Sequence, residues 1–118
     1  MVFSDNKVIL ILGLGYVGLP LAIEFSKKYK TIGYDLSINK IHNYSNLFDP
    51  MGEISKEDFI QAKNLEFSSD PKMISKADII IVAVPTPVDA AHIPDLSFIK
   101  EASISVAKNM KKKSIIIF

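Results

Sequence analysis

The sequence predicts an α/β protein: a doubly wound parallel sheet in strand order 3-2-1-4-5 that stops after its fifth strand. Three observations carry this. Val8–Leu12 and Ile79–Val84 are unbroken aliphatic runs, the pattern of strands covered on both faces, with no period-2 alternation. Amphipathic stretches of helical spacing separate such runs, the βαβα order that builds a parallel sheet with helices on both sides. Hairpin turn signals are missing, which disfavours an α+β sandwich, and right-handed crossovers leave the doubly wound order.

The elements follow in order. After the strand Val8–Leu12, the residues Val17, Leu21, Ala22 and Phe25 recur at helical spacing, and Lys27 and Lys28 place positive charge in the expected last turn. Thr31–Tyr34 reads as a second strand that ends at Asp35. Ser37 is expected to cap a short helix through Asn43 that packs Ile38 and Ile41. Residues 46–52 read as a turn-rich loop. Ser55 and Asp58 have capping-box spacing, opening a helix with Phe59, Ile60 and Ala62. Leu65–Phe67 is a brief strand, and Asp70-Pro71 starts a one-turn helix to Ser75. Ile79–Val84 is the strongest strand. Asp95 is expected to cap a long helix with a stripe of Leu96, Ile99, Ala102, Val106 and Met110. Ser114–Phe118 closes as an apolar strand that reads as cut at its end.

Composition bounds the function. The chain has 118 residues, 48% of them hydrophobic and 23% charged, which suits one domain over residues 1–118. Lys and Arg number 14 against 13 Asp and Glu, so no global field draws a polyanion and nucleic acid is not an expected partner. There is no cysteine, which removes thiol nucleophiles, CxxC zinc sites and iron–sulfur ligation from these residues. The apolar run near the N-terminus is five residues, far short of the roughly 20 needed to span a membrane. No membrane partner is expected, and a cytoplasmic location is the default.

The chemistry concentrates in Gly13-Leu14-Gly15-Tyr16-Val17-Gly18, a GxGxxG pattern. Alone it is weak. Here a buried strand precedes it, a helix follows it, and an acidic residue lies downstream, the context of a Rossmann-type dinucleotide site. Gly13 allows the tight turn, Gly15 lets backbone approach a pyrophosphate, and Gly18 lets helix pack on strand. The N–H groups of Tyr16 and Val17 then point at the phosphates, helped by the helix dipole.

Asp35 lies 22 residues after Gly13, where a carboxylate accepts the hydroxyls of an adenosine ribose. Its charge repels a 2′-phosphate, so NAD is preferred to NADP. Lys40 either covers the adenine, pairs with Asp35, or is a solvated surface lysine. Val84-Pro85-Thr86-Pro87 ends the fourth strand at the edge where open sheets bind ligands; a simple stop between strand and loop explains those residues equally well. His42 and His92 lack metal-ligand spacing and read as surface residues, so no metal site is expected. Lys111-Lys112-Lys113 reads as a solvated charge cluster at a helix end.

Leu12–Ala22, Gly33-Tyr34-Asp35, Val84–Pro87 and Pro94-Asp95-Leu96-Ser97, in that order and spacing, together resemble the N-terminal domain of the UDP-glucose/GDP-mannose dehydrogenase family. The segment from Val84 to Asp95 is most similar to the UDP-N-acetylhexosamine 6-dehydrogenase branch. The resemblance implies an NAD-dependent oxidation of a sugar C6 alcohol to a carboxylate, using two NAD, for surface polysaccharides such as capsule. It places Gly13, Gly15, Tyr16, Val17 and Gly18 at the pyrophosphate, Asp35 and Lys40 at the adenosine, and Val84, Pro85 and Thr86 at the nucleotide ribose region. It also implies a UDP-sugar substrate and a homodimer for a full-length enzyme. The family's catalytic cysteine, lysine and asparagine belong to later segments, so no catalytic residue is assigned here and these residues alone are expected to be inactive. Two other readings stand beside it: a stand-alone NAD-sensing module, and another dehydrogenase class sharing only the glycine motif.

Overall fold

A computed structural model describes residues 6–118. Five parallel strands, β1 (Val8–Leu12), β2 (Lys30–Tyr34), β3 (Leu65–Ser68), β4 (Ile79–Val82) and β5 (Ile115–Ile117), form one sheet in the order β3-β2-β1-β4-β5. That is the expected topology. The register aligns Leu12 with Tyr34 on one side and with Val82 on the other. The carboxyl ends of the three central strands therefore meet along one edge.

Because successive strand residues face opposite sides, β1 feeds two cores. Ile9 and Ile11 join Leu14, Leu19, Ala22, Ile23, Tyr44 and Phe59 under α1 (Gly18–Ser26), α2 (Ile38–Ser45) and α3 (Lys56–Gln61). Leu10 and Leu12 join Ile32, Tyr34, Ile80, Ile74, Ala102 and Val106 under α4 (Ser97–Asn109) and the 3-10 helix Pro71–Lys76. In the first core the rings of Tyr44, Phe59 and Phe67 pack with centroids 5.6–6.3 Å apart. This is the range at which aromatic pairs add to simple burial.

The caps hold as read. Ser37 accepts from the Lys40 N–H, Ser55 and Asp58 form a reciprocal capping box, and Asp70 accepts from the Lys72 N–H ahead of the 3-10 helix. Several details differ from expectation. Ile38 is 74% exposed, because α2 reaches the core through Ile41 and Tyr44 nearer its C-terminal end. Helix α1 stops at Ser26, whose hydroxyl bonds to the Ile23 carbonyl. Lys27 is thus the C-cap, paired with Glu24 at 2.9 Å, and no basic residue lies in the last turn.

Strand β4 ends two residues early, at Val82. Helix α4 begins after Leu96, one residue later than expected: its first turn closes from the Lys100 N–H onto the Leu96 carbonyl, while the Asp95 N–H bonds back to the Pro87 carbonyl at 2.7 Å. The Asp95 carboxylate still accepts from the Ser97 N–H. Ala102 and Val106 of the predicted stripe are buried and Ile99 is half-buried, while Leu96 and Met110 are exposed. Lys111 is no free surface charge: it pairs with Asp78 at 2.6 Å, and Asp78 also accepts the Val8 N–H.

Candidate active site

The β1–α1 turn is built from the backbone outward. The Gly13 N–H donates to the Tyr34 carbonyl, so the turn leaves β1 while still tied to β2. Gly13 has φ +102°, a conformation that disfavours a side chain. A Cβ there would also lie 2.9 Å from the Ala83 carbonyl and the Val84 nitrogen. A Cβ on Gly18 would overlap the Gly13 carbonyl oxygen, so helix α1 reaches β1 only because residue 18 has no side chain.

Gly15 differs from both. An added Cβ meets nothing within 4 Å, and the residue lines an open cleft. The fold leaves that space open. Val17 supplies no side-chain cap to α1, and the Tyr16 and Val17 N–H groups make no hydrogen bond among the described residues. They are donors without acceptors at the positive end of a helix dipole, the arrangement that receives phosphate oxygens. Tyr16 and Val17 are both exposed.

Asp35 anchors the next wall. Its carboxylate accepts from the Leu14 N–H and from the Ser37 N–H, each at 2.9 Å, and Lys40 Nζ lies 3.7 Å away. Of the three roles open to Lys40, the ion pair with Asp35 is the one seen. The carboxylate thus clamps the glycine turn to the start of α2, and each oxygen retains capacity for a further donor. Behind this wall the Tyr44 hydroxyl donates to the Leu14 carbonyl at 3.3 Å.

The cleft has a volume of about 790 Å³ and brings together nine of the ten expected residues: Gly13, Gly15, Tyr16, Val17, Asp35, Lys40, Val84, Pro85 and Thr86. Gly18 lies outside the lining and acts through packing. The lining also includes Tyr34, Leu36, Ser37 and, from α4, Phe98, Glu101 and Ser105, none of which motif spacing picks out as a site residue. Their only sequence signal was adjacency to Asp35 or a place on α4 off the predicted core stripe.

The loop at 46–52 is more ordered than a turn-rich composition suggests. Asp49 is 7% exposed and accepts from the N–H groups of Met51, Glu53 and Ile54. Its neighbour Met51, together with Tyr16, Lys40 and Tyr44, lines a smaller pocket of about 210 Å³ beside the glycine turn. Among the described residues no group of three His, Cys, Asp or Glu could hold a metal ion, and no helix is long and apolar enough to cross a membrane.

Residues 7–118 match the family model described as "UDP-glucose/GDP-mannose dehydrogenase family, NAD binding domain". The chain belongs to that family. Protein CapL of Staphylococcus aureus is 39% identical over 113 residues, covering 96% of this chain and 26% of CapL. A UDP-N-acetyl-D-glucosamine 6-dehydrogenase of Pseudomonas aeruginosa is 38% identical over 115 residues, covering 98% of this chain and 27% of that protein. Among solved structures, a ternary complex of GDP-mannose dehydrogenase from Pseudomonas aeruginosa superimposes with a TM-score of 0.81 at 28% identity, over 90% of this chain and 26% of that one. An NDP-N-acetyl-D-galactosaminuronic acid dehydrogenase from Methanosarcina mazei gives 0.83 at 26% identity, over 96% of this chain and 27% of that one. The chain thus spans about a quarter of the length of these relatives. Within the family it is an NAD-binding domain of Rossmann type.

Proposed function

We propose that these residues hold NAD for a nucleotide-sugar 6-dehydrogenase, with a UDP-N-acetylhexosamine as the substrate class of the whole enzyme. The observation that carries the cofactor site is the contrast at the glycine turn: Gly15 faces open cleft, whereas Gly13 and Gly18 are required by the fold itself. The pyrophosphate lies against the Tyr16 and Val17 N–H groups, and Asp35 takes the adenosine ribose hydroxyls with Lys40 beside it. Val84, Pro85 and Thr86 form the wall toward the second ribose.

The bound cofactor supplies a hydride acceptor. This chain's residues bind and orient it. The substrate reading rests on relatives whose names specify N-acetylated UDP-sugars. With it come the oxidation of a C6 alcohol to a carboxylate by two NAD in succession, a role in surface polysaccharide synthesis, a cytoplasmic location and a homodimeric full-length enzyme. The 118-residue stretch has no thiol for a covalent intermediate, and by itself turns over no UDP-sugar.

Calorimetric titration tests the cofactor reading. NAD and NADH are expected to bind and NADPH to bind more weakly; equal affinity for NADPH would remove the argument from the Asp35 charge. Production of NADH from a UDP-sugar by these residues alone would overturn the proposed inactivity.

A further inference from the structure

Tyr34 ends β2 and is 1% exposed, its ring within the core beneath α4. Its hydroxyl is a buried polar atom without a hydrogen-bond partner, and no other such side-chain atom occurs among the described residues. An unpartnered buried hydroxyl is a net cost to the fold, and phenylalanine would fill the same space without that penalty. Yet Tyr34 also lines the cleft, next in sequence to Asp35 and together with Leu36 and Phe98. Burial first, and then the charges of Asp70 and Asp35, push its pKa above the ordinary tyrosine value. It therefore stays an O–H, able both to donate and to accept.

A purine presents both complements at its edge, ring nitrogens that accept and an exocyclic amine that donates. With Asp35 on the adenosine ribose, the base attached to that ribose falls within reach of the cleft wall that Tyr34 helps to form. We propose that the Tyr34 hydroxyl is a base-recognition group, hydrogen-bonded to the adenine of the bound dinucleotide and orienting its adenosine half. This rests on the NAD reading above.

The test compares the 118-residue chain with its Tyr34→Phe variant, using NAD and AMP as ligands and thermal melting of the free proteins. The ligand-free variant should melt at the same or a higher temperature, because it loses an orphaned hydroxyl. NAD and AMP should both weaken by the same factor, about three- to tenfold, the worth of one hydrogen bond. Unchanged affinities would overturn the assignment, and so would weakening of NAD without weakening of AMP. A variant that melts lower, or does not fold, would show that the hydroxyl is already bonded in the free protein, which also overturns it. If the unmutated chain binds neither ligand, the dinucleotide reading falls and this assignment with it. If it binds both and Tyr34→Phe binds them equally, only the assignment falls.

Discussion

Gly18 and Gly15 sit three residues apart in one turn, yet an added side chain would meet opposite surroundings at the two positions. At Gly18 the demand is internal: a Cβ would occupy the place of the Gly13 carbonyl oxygen. At Gly15 the protein imposes nothing, since no atom lies within 4 Å of where a Cβ would be. One glycine closes the fold and the other keeps a surface clear. The same motif therefore contains a stability determinant and, on the proposed cofactor reading, a binding determinant, and the two separate by experiment.

The largest effect is expected from Gly18→Ala. Helix α1 must move off β1, at a cost of about 3 kcal/mol or more, at the upper end for overpacking a tight interior. Urea denaturation measures it, and a variant as stable as the parent would break the contrast from one side. Asp35→Ala should lower stability and NAD affinity together, each by about 1–3 kcal/mol, because the carboxylate accepts two backbone N–H groups and is proposed to accept the ribose hydroxyls. A loss of stability with NAD affinity intact would move the ribose site elsewhere.

Gly15→Ala should leave stability within about 0.5 kcal/mol, as for an unconstrained surface position. It should weaken NAD by about 1–3 kcal/mol through steric overlap. A stability loss equal to that of Gly18→Ala would break the contrast from the other side.

A smaller effect lies far from the turn, at Asp78. The hydrogen bond from Lys111 and then that from the Val8 N–H hold its carboxyl below the ordinary value of 3.8. The folded-state pKa is thus lower than the unfolded one, and the stabilisation is complete above the unfolded value. It is lost as pH falls through the lower folded-state value. Asp78→Asn should cost about 1 kcal/mol near neutrality, given that both partners are partly solvated. It should also flatten the acid limb of the stability profile; an unchanged limb would assign acid sensitivity to another carboxylate.

Much of this was legible in the chain. The aliphatic runs at Val8–Leu12 and Ile79–Val84 announced buried parallel strands, the second of which ends at Val82, and the caps at Ser37, Ser55 and Asp70 lie where residue type and spacing placed them. These are local properties: each depends on the chemistry of a few neighbouring residues. Helix ends are less legible: the first carbonyl of α4 is that of Leu96 and not of Asp95, and Lys27 falls one residue beyond α1, differences of a single residue that composition does not register. Asp49 escaped notice as a buried organiser of its loop, since an aspartate among turn residues ordinarily faces water.

The sequence by itself determined the strand order's class, the glycine turn and the acidic residue that follows it, because periodicity and motif spacing are written along the chain. Tertiary structure alone decided which glycine the fold needs and which it leaves open, and that Lys40 reaches Asp35. It also decided that Tyr34, a residue of the cleft wall, keeps a buried hydroxyl with no partner. The physical reason is common to all three: steric overlap, ion pairing and orphaned polarity are relations between atoms that only the folded chain brings together.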